Sequence, residues 1–293
     1  MKHLSDLTDL AVKHAGSTAV PNLEIHKLDQ PTELIPLIYE PSVCLILQGE
    51  KRTIIGDKVL DYAAGSCLVI AAELSALGQV TRASPNEPFL ALALTIDAPQ
   101  LSEAMRKTPA TTHDQGNQSF ALQSASDLLI ETWARLLTML ERPDEIQAIA
   151  PLYQQELLYR FLVGPMGPFL RQIGIADSDL ARIRRTMDFI RKHHADRLEI
   201  SEMAELAGMS RTTFHRRFKK VTGVSPLQYQ KQFRLHEAKR CLVAREGNAA
   251  SVAYRVGYES TSQFSREYRR LFGLPPLQDA AAARELAKVV SAF

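Results

Sequence analysis

Cysteine is scarce in this chain and odd in number: Cys44, Cys67 and Cys241 lie far apart. That usage excludes a disulfide framework and fits a reducing compartment. No run of about 18 apolar residues occurs, so no segment is expected to span a membrane. Residues 1–16 lack an apolar stretch ending at a small-residue cleavage site, so no secretory signal is expected and the cytoplasm is the expected location. Histidine pairs are missing too. His3, His14, His26 and His113 are the histidines of the N-terminal half, and no two are separated by one residue. A zinc or iron site needs three or four convergent ligands, so no metal, no cofactor and no catalytic centre is expected.

A net charge of +2 looks equally uninformative, but it hides a split. From Asp179 onward there are 22 Lys and Arg against 12 Asp and Glu, a net of +10. Residues 1–178 hold 13 against 21, a net of −8. A basic C-terminal part on an acidic N-terminal part points to a polyanionic partner for the former alone. The length of 293 residues suits two domains.

What the chain does have is a repeat. Ser210-Arg-Thr-Thr-Phe214-His-Arg216-Arg-Phe218-Lys-Lys-Val221-Thr-Gly223 returns fifty residues later as Ser260-Thr-Ser-Gln-Phe264-Ser-Arg266-Glu-Tyr268-Arg-Arg-Leu271-Phe-Gly273. Pro226 falls on Pro276. Each copy places apolar residues at i, i+4 and i+7, on one helical face. Ser210 and Ser260 are N-cap residues, and Ser260 with Gln263 has the capping-box pattern. Gly223 and Gly273 supply helix stops. Upstream of each copy lies a short helix, Ile200–Ala207 or Ala249–Val256, closed by Gly208 or Gly257. Short helix, glycine turn and second helix with a polar, basic outer face form a helix-turn-helix. Two matched units at a fixed offset are an internal structural repeat, beyond a solvated amphipathic helix.

Residues 180–281 resemble the DNA-binding domain of the AraC/XylS family of bacterial transcription regulators. The resemblance rests on Met203-Ala-Glu-Leu-Ala-Gly208-Met-Ser210, Phe214-His-Arg-Arg-Phe218-Lys, Gly223-Val-Ser-Pro226, Arg234-Leu-His-Glu-Ala238 and Ala253-Tyr-Arg-Val-Gly257-Tyr-Glu-Ser260. It implies double-stranded DNA as partner, with Thr212, His215, Arg216, Thr261, Ser262, Ser265 and Arg266 at base-reading positions. Arg211, Lys219, Lys220, Arg269 and Arg270 fit phosphate contacts, which position without specifying. RNA polymerase is a further candidate partner.

Residues 17–98 read as strands: Val43–Leu47, Thr53–Ile55 before Gly56-Asp57, Leu68–Ala71, and Phe89–Ile96 after Pro88. Short strands with regular turn residues predict a small barrel or sandwich. Pro41-Ser-Val-Cys44-Leu-Ile-Leu-Gln48-Gly49-Glu-Lys51 and Tyr62-Ala-Ala-Gly65-Ser-Cys67-Leu also resemble the cupin-like N-terminal domain of one AraC subgroup. Cys44 and Cys67 fall in these strands, as small buried hydrophobes or as sensor thiols if exposed and acidic. Residues 124–163 read as two helices broken at Pro143, with a stripe of Leu128, Leu129, Trp133, Leu136, Leu137 and Leu140 on the first. The resemblance implies that these helices dimerise the chain. Gly164-Pro165-Met-Gly167-Pro168 reads as the start of a linker running to 177. Ser225-Pro226 opens a long helix to about Ala244, with Phe233, Ala238 and Leu242 toward the core. A terminal helix is expected over Leu277–Phe293.

The expected fold class is therefore α+β: a cupin-like β-barrel with a helical dimerisation segment over 1–163, a linker over 164–177, and an all-α domain with two helix-turn-helix motifs over 178–293. The expected function is transcription regulation by sequence-specific DNA binding, controlled by a small-molecule effector of unknown identity in the barrel. The rivals are a cupin-type enzyme, a fused DNA-repair methyltransferase and a nucleoid protein of little sequence preference. Metal-dependent cupins carry a His pair one residue apart, which is missing here. The repair enzymes carry their reactive Cys in a Pro-Cys-His setting, which none of the three cysteines has.

Overall fold

The structure is a computed structural model that describes residues 2–108, 119–174 and 178–291. Within these residues the chain forms two compact units that divide near Arg182. No helix among the described residues is long and apolar enough to cross a membrane. His113 lies outside the described residues.

The first unit opens with α1 (Lys2–Lys13), then β1 (Gly16–Ser17), β2 (Leu23–Leu28), β3 (Ile35–Tyr39), β4 (Ser42–Gln48), β5 (Glu50–Ile55), β6 (Lys58–Ala63), β7 (Ser66–Ile70), β8 (Leu74–Arg82) and β9 (Phe89–Thr95). It continues with α2 (Ala98–Arg106), β10 (Phe120–Ser124), α3 (Asp127–Thr138), α4 (Ile146–Val163) and α5 (Gly167–Gly174). The strands form two antiparallel sheets, ordered β1-β2-β9-β4-β7-β10 and β3-β8-β5-β6. Their inner faces share one core that includes Ile46, Ile55, Tyr62, Leu68, Val80 and Phe89. β4 is apolar on both faces because it lies inside its sheet, between β9 and β7, and α1 packs against it. β8 alternates buried and half-buried residues, as a strand with one core face must. The predicted Gly56-Asp57 turn is a two-residue hairpin loop, with Ile55 opposite Lys58.

The helices of this unit depart from expectation in two places. Leu129, Trp133, Leu136 and Leu137 are buried, Leu140 is half-buried and Leu128 is exposed, so most of the predicted α3 stripe packs inside its own chain, where α3 lies against α4 and α1. An amphipathic pattern shows that a face is covered, not what covers it. The expected linker, 164–177, contains α5, whose Phe169, Leu170 and Ile173 are buried. Pro168 stands in the first turn of that helix, where its missing N–H costs no intrahelical bond.

The second unit holds the rest of α6 (Asp179–Lys192), then α7 (Ile200–Leu206), α8 (Arg211–Thr222), α9 (Pro226–Val243), α10 (Ala249–Arg255), α11 (Thr261–Phe272) and α12 (Pro276–Ser291). The repeat is also a repeat of geometry. Phe214 and Phe218 meet edge-to-face at 5.5 Å and 62°, and Phe264 and Tyr268 at 5.5 Å and 64°. All four rings are buried. Leu271, the counterpart of buried Val221, is only half-buried. Gly223 and Gly273 end α8 and α11 at φ of 79° and 81°, left-handed values that suit glycine. Pro226 and Pro276, paired in sequence, begin α9 and α12.

Two details of capping and core differ from the sequence reading. Ser260 caps α11 through the Gln263 N–H, but the Gln263 side chain donates to Glu267 at 3.3 Å and does not turn back. A complete capping box occurs instead at Ser225 and Gln228, opening α9. On α9, Ala238 and Leu242 are buried as expected, whereas Phe233 is half-buried and Leu235 takes the core position.

Candidate DNA-binding face and barrel cavity

α8 and α11 each turn their aromatic residues inward, and this fixes what remains outside. Arg211, Thr212, His215, Arg216, Lys219 and Lys220 are all exposed on α8. On α11, Ser262, Ser265, Arg266, Arg269 and Arg270 are exposed and Thr261 is half-buried. Among the described residues, Arg211, Arg216, Lys219, Lys220, Arg266, Arg269 and Arg270 form no ion pair, unlike the cations on α9. There, Lys231 pairs with Glu267 at 2.9 Å, Lys239 with Asp279 at 2.9 Å, and Arg240 with Glu237 at 2.8 Å. The outer faces of α8 and α11 thus carry uncompensated positive charge on two rigid rods. An α-helix with such a face fits a major groove and its flanking phosphates.

The two halves are joined through Arg234, which the sequence reading quoted but gave no role. From α9, Arg234 donates to the carbonyls of His194, Ala195 and Asp196 in the loop after α6, and to the carbonyl of Gly257 at 2.8 Å. Gln230 adds bonds to the His194 and Asp196 carbonyls. Gly257, at φ 90°, packs so closely that a Cβ there would stand 2.3 Å from the Ala195 carbonyl oxygen. Only glycine satisfies both conditions. Glu267 joins the same junction. Burial alone would raise its carboxyl, but bonds from Lys231, Tyr258 and Gln263 hold it below its ordinary value. Arg234→Met is expected to cost about 2–4 kcal/mol, since charge-assisted bonds contribute about 1.5–3 kcal/mol each and their acceptors are left behind. Arg234→Lys should recover little, because an ammonium cannot span the four carbonyls. Urea melts of the three proteins check this; an unchanged midpoint for Met would remove Arg234 from the junction.

The first unit contains a cavity of about 530 Å³ between its sheets. Its walls are mainly apolar, from Leu37, Ile46, Leu68, Val80, Phe89 and Ala91. Tyr39, Tyr62, Cys44 and Lys51 also line it. Tyr62 and Thr53 hydroxyls bond at 2.8 Å, and Tyr39 and Thr53 at 3.3 Å. The two strand cysteines part ways here. Cys67 is buried beside the cavity wall with its thiol pushed up to about 12, first by burial and then by Cys44. Cys44 reaches the cavity, yet burial raises its thiol more than Lys51 lowers it. Both shifts oppose the lowered pKa that a reactive thiolate needs. Of the N-terminal histidines, His26 is exposed at the cavity rim, 3.8 Å from Glu24, and His14 pairs with Glu141 on the surface.

Comparison with known proteins places both units. The family described as "AraC-type transcriptional regulator N-terminus" matches residues 19–169, and a "Helix-turn-helix domain" matches residues 203–281. The chain is similar to the thermoregulatory protein LcrF of Yersinia pestis, 24% identical over 268 residues, covering 88% of this chain and 96% of LcrF. It is also 31% identical over 128 residues to the transcriptional regulator ExsA of Pseudomonas aeruginosa, a match that takes in 44% of this chain and 46% of ExsA. With ExsA, and with the activator RhaS of an Enterobacter at 51%, the chain spans about half of the relative's length. Among solved structures it shares its fold with ToxT from Vibrio cholerae, solved with an unsaturated fatty acid bound. The TM-score is 0.56 at 11% identity, over 88% of this chain and 93% of ToxT.

Proposed function

The chain belongs to the AraC-type transcriptional regulators, and from that membership we propose that it reads a specific operator through α8 and α11 under the control of a small molecule held in the barrel. The observation that carries the DNA half is the paired set of exposed, unneutralised cations on two helices of one repeat. α9 joins them as an 18-residue rod, about 27 Å long at 1.5 Å per residue. That length suits two helices entering successive major grooves on one side of the duplex, about 34 Å apart. The proposed base readers are Thr212, His215, Arg216, Thr261, Ser262, Ser265 and Arg266; Arg211, Lys219, Lys220, Arg269 and Arg270 grip phosphate.

The effector half rests on the barrel cavity, whose size and apolar walls are those of a small-ligand site. ToxT, of the same fold, carries a small organic ligand. The protein acts in the cytoplasm, as a regulator and not as an enzyme, with RNA polymerase as its further partner. Footprinting on the genomic fragments upstream of its own and neighbouring genes tests the reading. One or two protected segments of defined sequence are expected. Even protection across every fragment would favour a nucleoid protein.

The protein is proposed to dimerise through α4. Most of the α3 stripe is buried, Leu128 excepted, and the exposed large apolar residues of α4 are Leu152, Tyr159 and Val163, which share one helical face by their spacing. Leu152→Glu with Tyr159→Glu should convert a sedimenting dimer to monomer without lowering its melting temperature. A wild-type chain that sediments as monomer at high concentration would refute the dimer.

A further inference from the structure

The inference concerns Lys51 and rests on reading the barrel cavity as the effector site. Lys51 lies on β5, half-buried, with its side chain in the cavity. Its ammonium stands 5.4 Å from the centre of the Tyr39 ring and 5.9 Å from that of Phe89. Ring faces attract a cation but do not neutralise it. Arg160 and Lys239, also half-buried, have carboxylates, Glu156 and Asp279, and half-buried Arg234 has four carbonyl oxygens. Lys51 forms no ion pair among the described residues. A cation kept from water without a counter-charge is costly, and an apolar side chain on that strand face would have packed with the Phe89 and Val80 walls.

The other charges of the cavity do not fill the gap. Glu24 and Glu40 line it, but both are exposed at its rim, and Glu24 faces His26. Cys44 adds no negative charge near neutral pH, because burial raises its thiol. The hydroxyls of Tyr39, Thr53 and Tyr62 bond among themselves and carry no charge to offset an ammonium. An ammonium without an ion pair, set against mainly apolar walls, describes the complement of one kind of molecule.

We propose that the cavity binds a small organic monoanion, a carboxylate with an apolar body, whose charged end meets Lys51 and whose body lies against Ile46, Leu68, Val80 and Phe89. The volume admits one such molecule with room for a chain or ring system. Lys51 acts as the selector for charge: it attracts the acid, does little for the neutral amide and repels the amine.

Isothermal titration of the full chain tests this with three matched sets of compounds: aliphatic and aryl-alkyl acids of six to twelve carbons, their primary amides and the corresponding amines. Acids should bind about tenfold or more tighter than their amides, as a charge-assisted contact in a partly buried site provides. Lys51→Met should bring the acids down to the affinity of the amides and leave the amides unchanged, which also shows that the barrel is intact. Lys51→Arg should keep the preference. Ala93→Leu, which narrows the cavity at another wall, should weaken acids and amides alike. Equal binding of acid and amide in every pair would overturn the charge assignment and leave the effector site standing. An acid preference that survives Lys51→Met would remove Lys51 as its source. No binding by any compound of the three sets would overturn the effector reading itself.

Discussion

Phe264→Ala is expected to remove about 3–5 kcal/mol from the second unit, and Phe214→Ala a similar amount. Each ring is almost wholly buried. Phe264 sits between Tyr258 and Tyr268, at 5.4 and 5.5 Å, and shares its core with Leu235, Val252 and Val256. Phe214 meets Phe218, which in turn meets Tyr229 of α9 at 5.6 Å. Truncation leaves a void that helices held by α9 and the Arg234 junction cannot close. A loss of that size is a large share of the roughly 5–15 kcal/mol that stabilises a domain. Two probes locate the damage. The chain has one tryptophan, Trp133, and it lies in the first unit. Far-ultraviolet circular dichroism should melt early in each variant, while the Trp133 emission transition keeps its midpoint. Unchanged dichroism melts in both variants would show that these rings do not hold the helices together.

Those rings were legible in the sequence because the signal that encodes them is local. A helix writes its buried face at i, i+4 and i+7, and caps and glycines mark its ends within a turn. The strands were legible where they are covered on both faces, and in β5 only over Thr53–Ile55, next to its turn. β4, β7 and β9 are runs of apolar residues inside a sheet. β3 and β6 are edge strands with exposed residues; Pro36 in β3 is the residue an edge tolerates and a central strand does not. β2 exposes Glu24, His26 and Lys27 in a stretch of only six residues. Nothing local distinguishes such segments from loops. The Gly-Pro run at 164–168 misled for the opposite reason: the same residues that punctuate a linker also start a helix.

The candidate sites divide in the same way. Positions on α8 and α11 follow from helical phase once Phe214 and Phe264 are fixed inside. Lys51 does not follow from phase, because the apolar signal of its strand begins only at Thr53. Register decides it. Lys51, Thr53 and Ile55 share one face of β5, and the buried Thr53 and Ile55 show that this face looks inward. Arg234 was visible only as part of a resembling segment, since its four carbonyl partners are spread from His194 to Gly257. Contacts that span forty residues leave no periodicity to read.

Arg216→Ala and Arg266→Ala are expected to produce the largest change in function. Both arginines are exposed and occupy one position of the repeat, two residues after a buried phenylalanine. At about 100° per residue, two steps turn the side chain roughly 200° from the ring, away from the core. Neither forms an ion pair among the described residues, so each guanidinium is available to DNA. An arginine in the major groove binds guanine through O6 and N7 with two parallel hydrogen bonds, providing about 1–3 kcal/mol of discrimination. A phosphate contact in the same place would weaken binding equally on every sequence and lower the salt slope by about one unit. Affinities of each variant on the operator and on scrambled DNA, at one fixed salt concentration, separate the two roles. A base contact gives a loss on the operator about 5- to 100-fold larger than on scrambled DNA, with relaxed preference at one G·C pair. Equal losses on both would make Arg216 and Arg266 phosphate clamps. Direct readout would then rest on Thr212, His215 and Ser262, exposed polar groups on the same two helices.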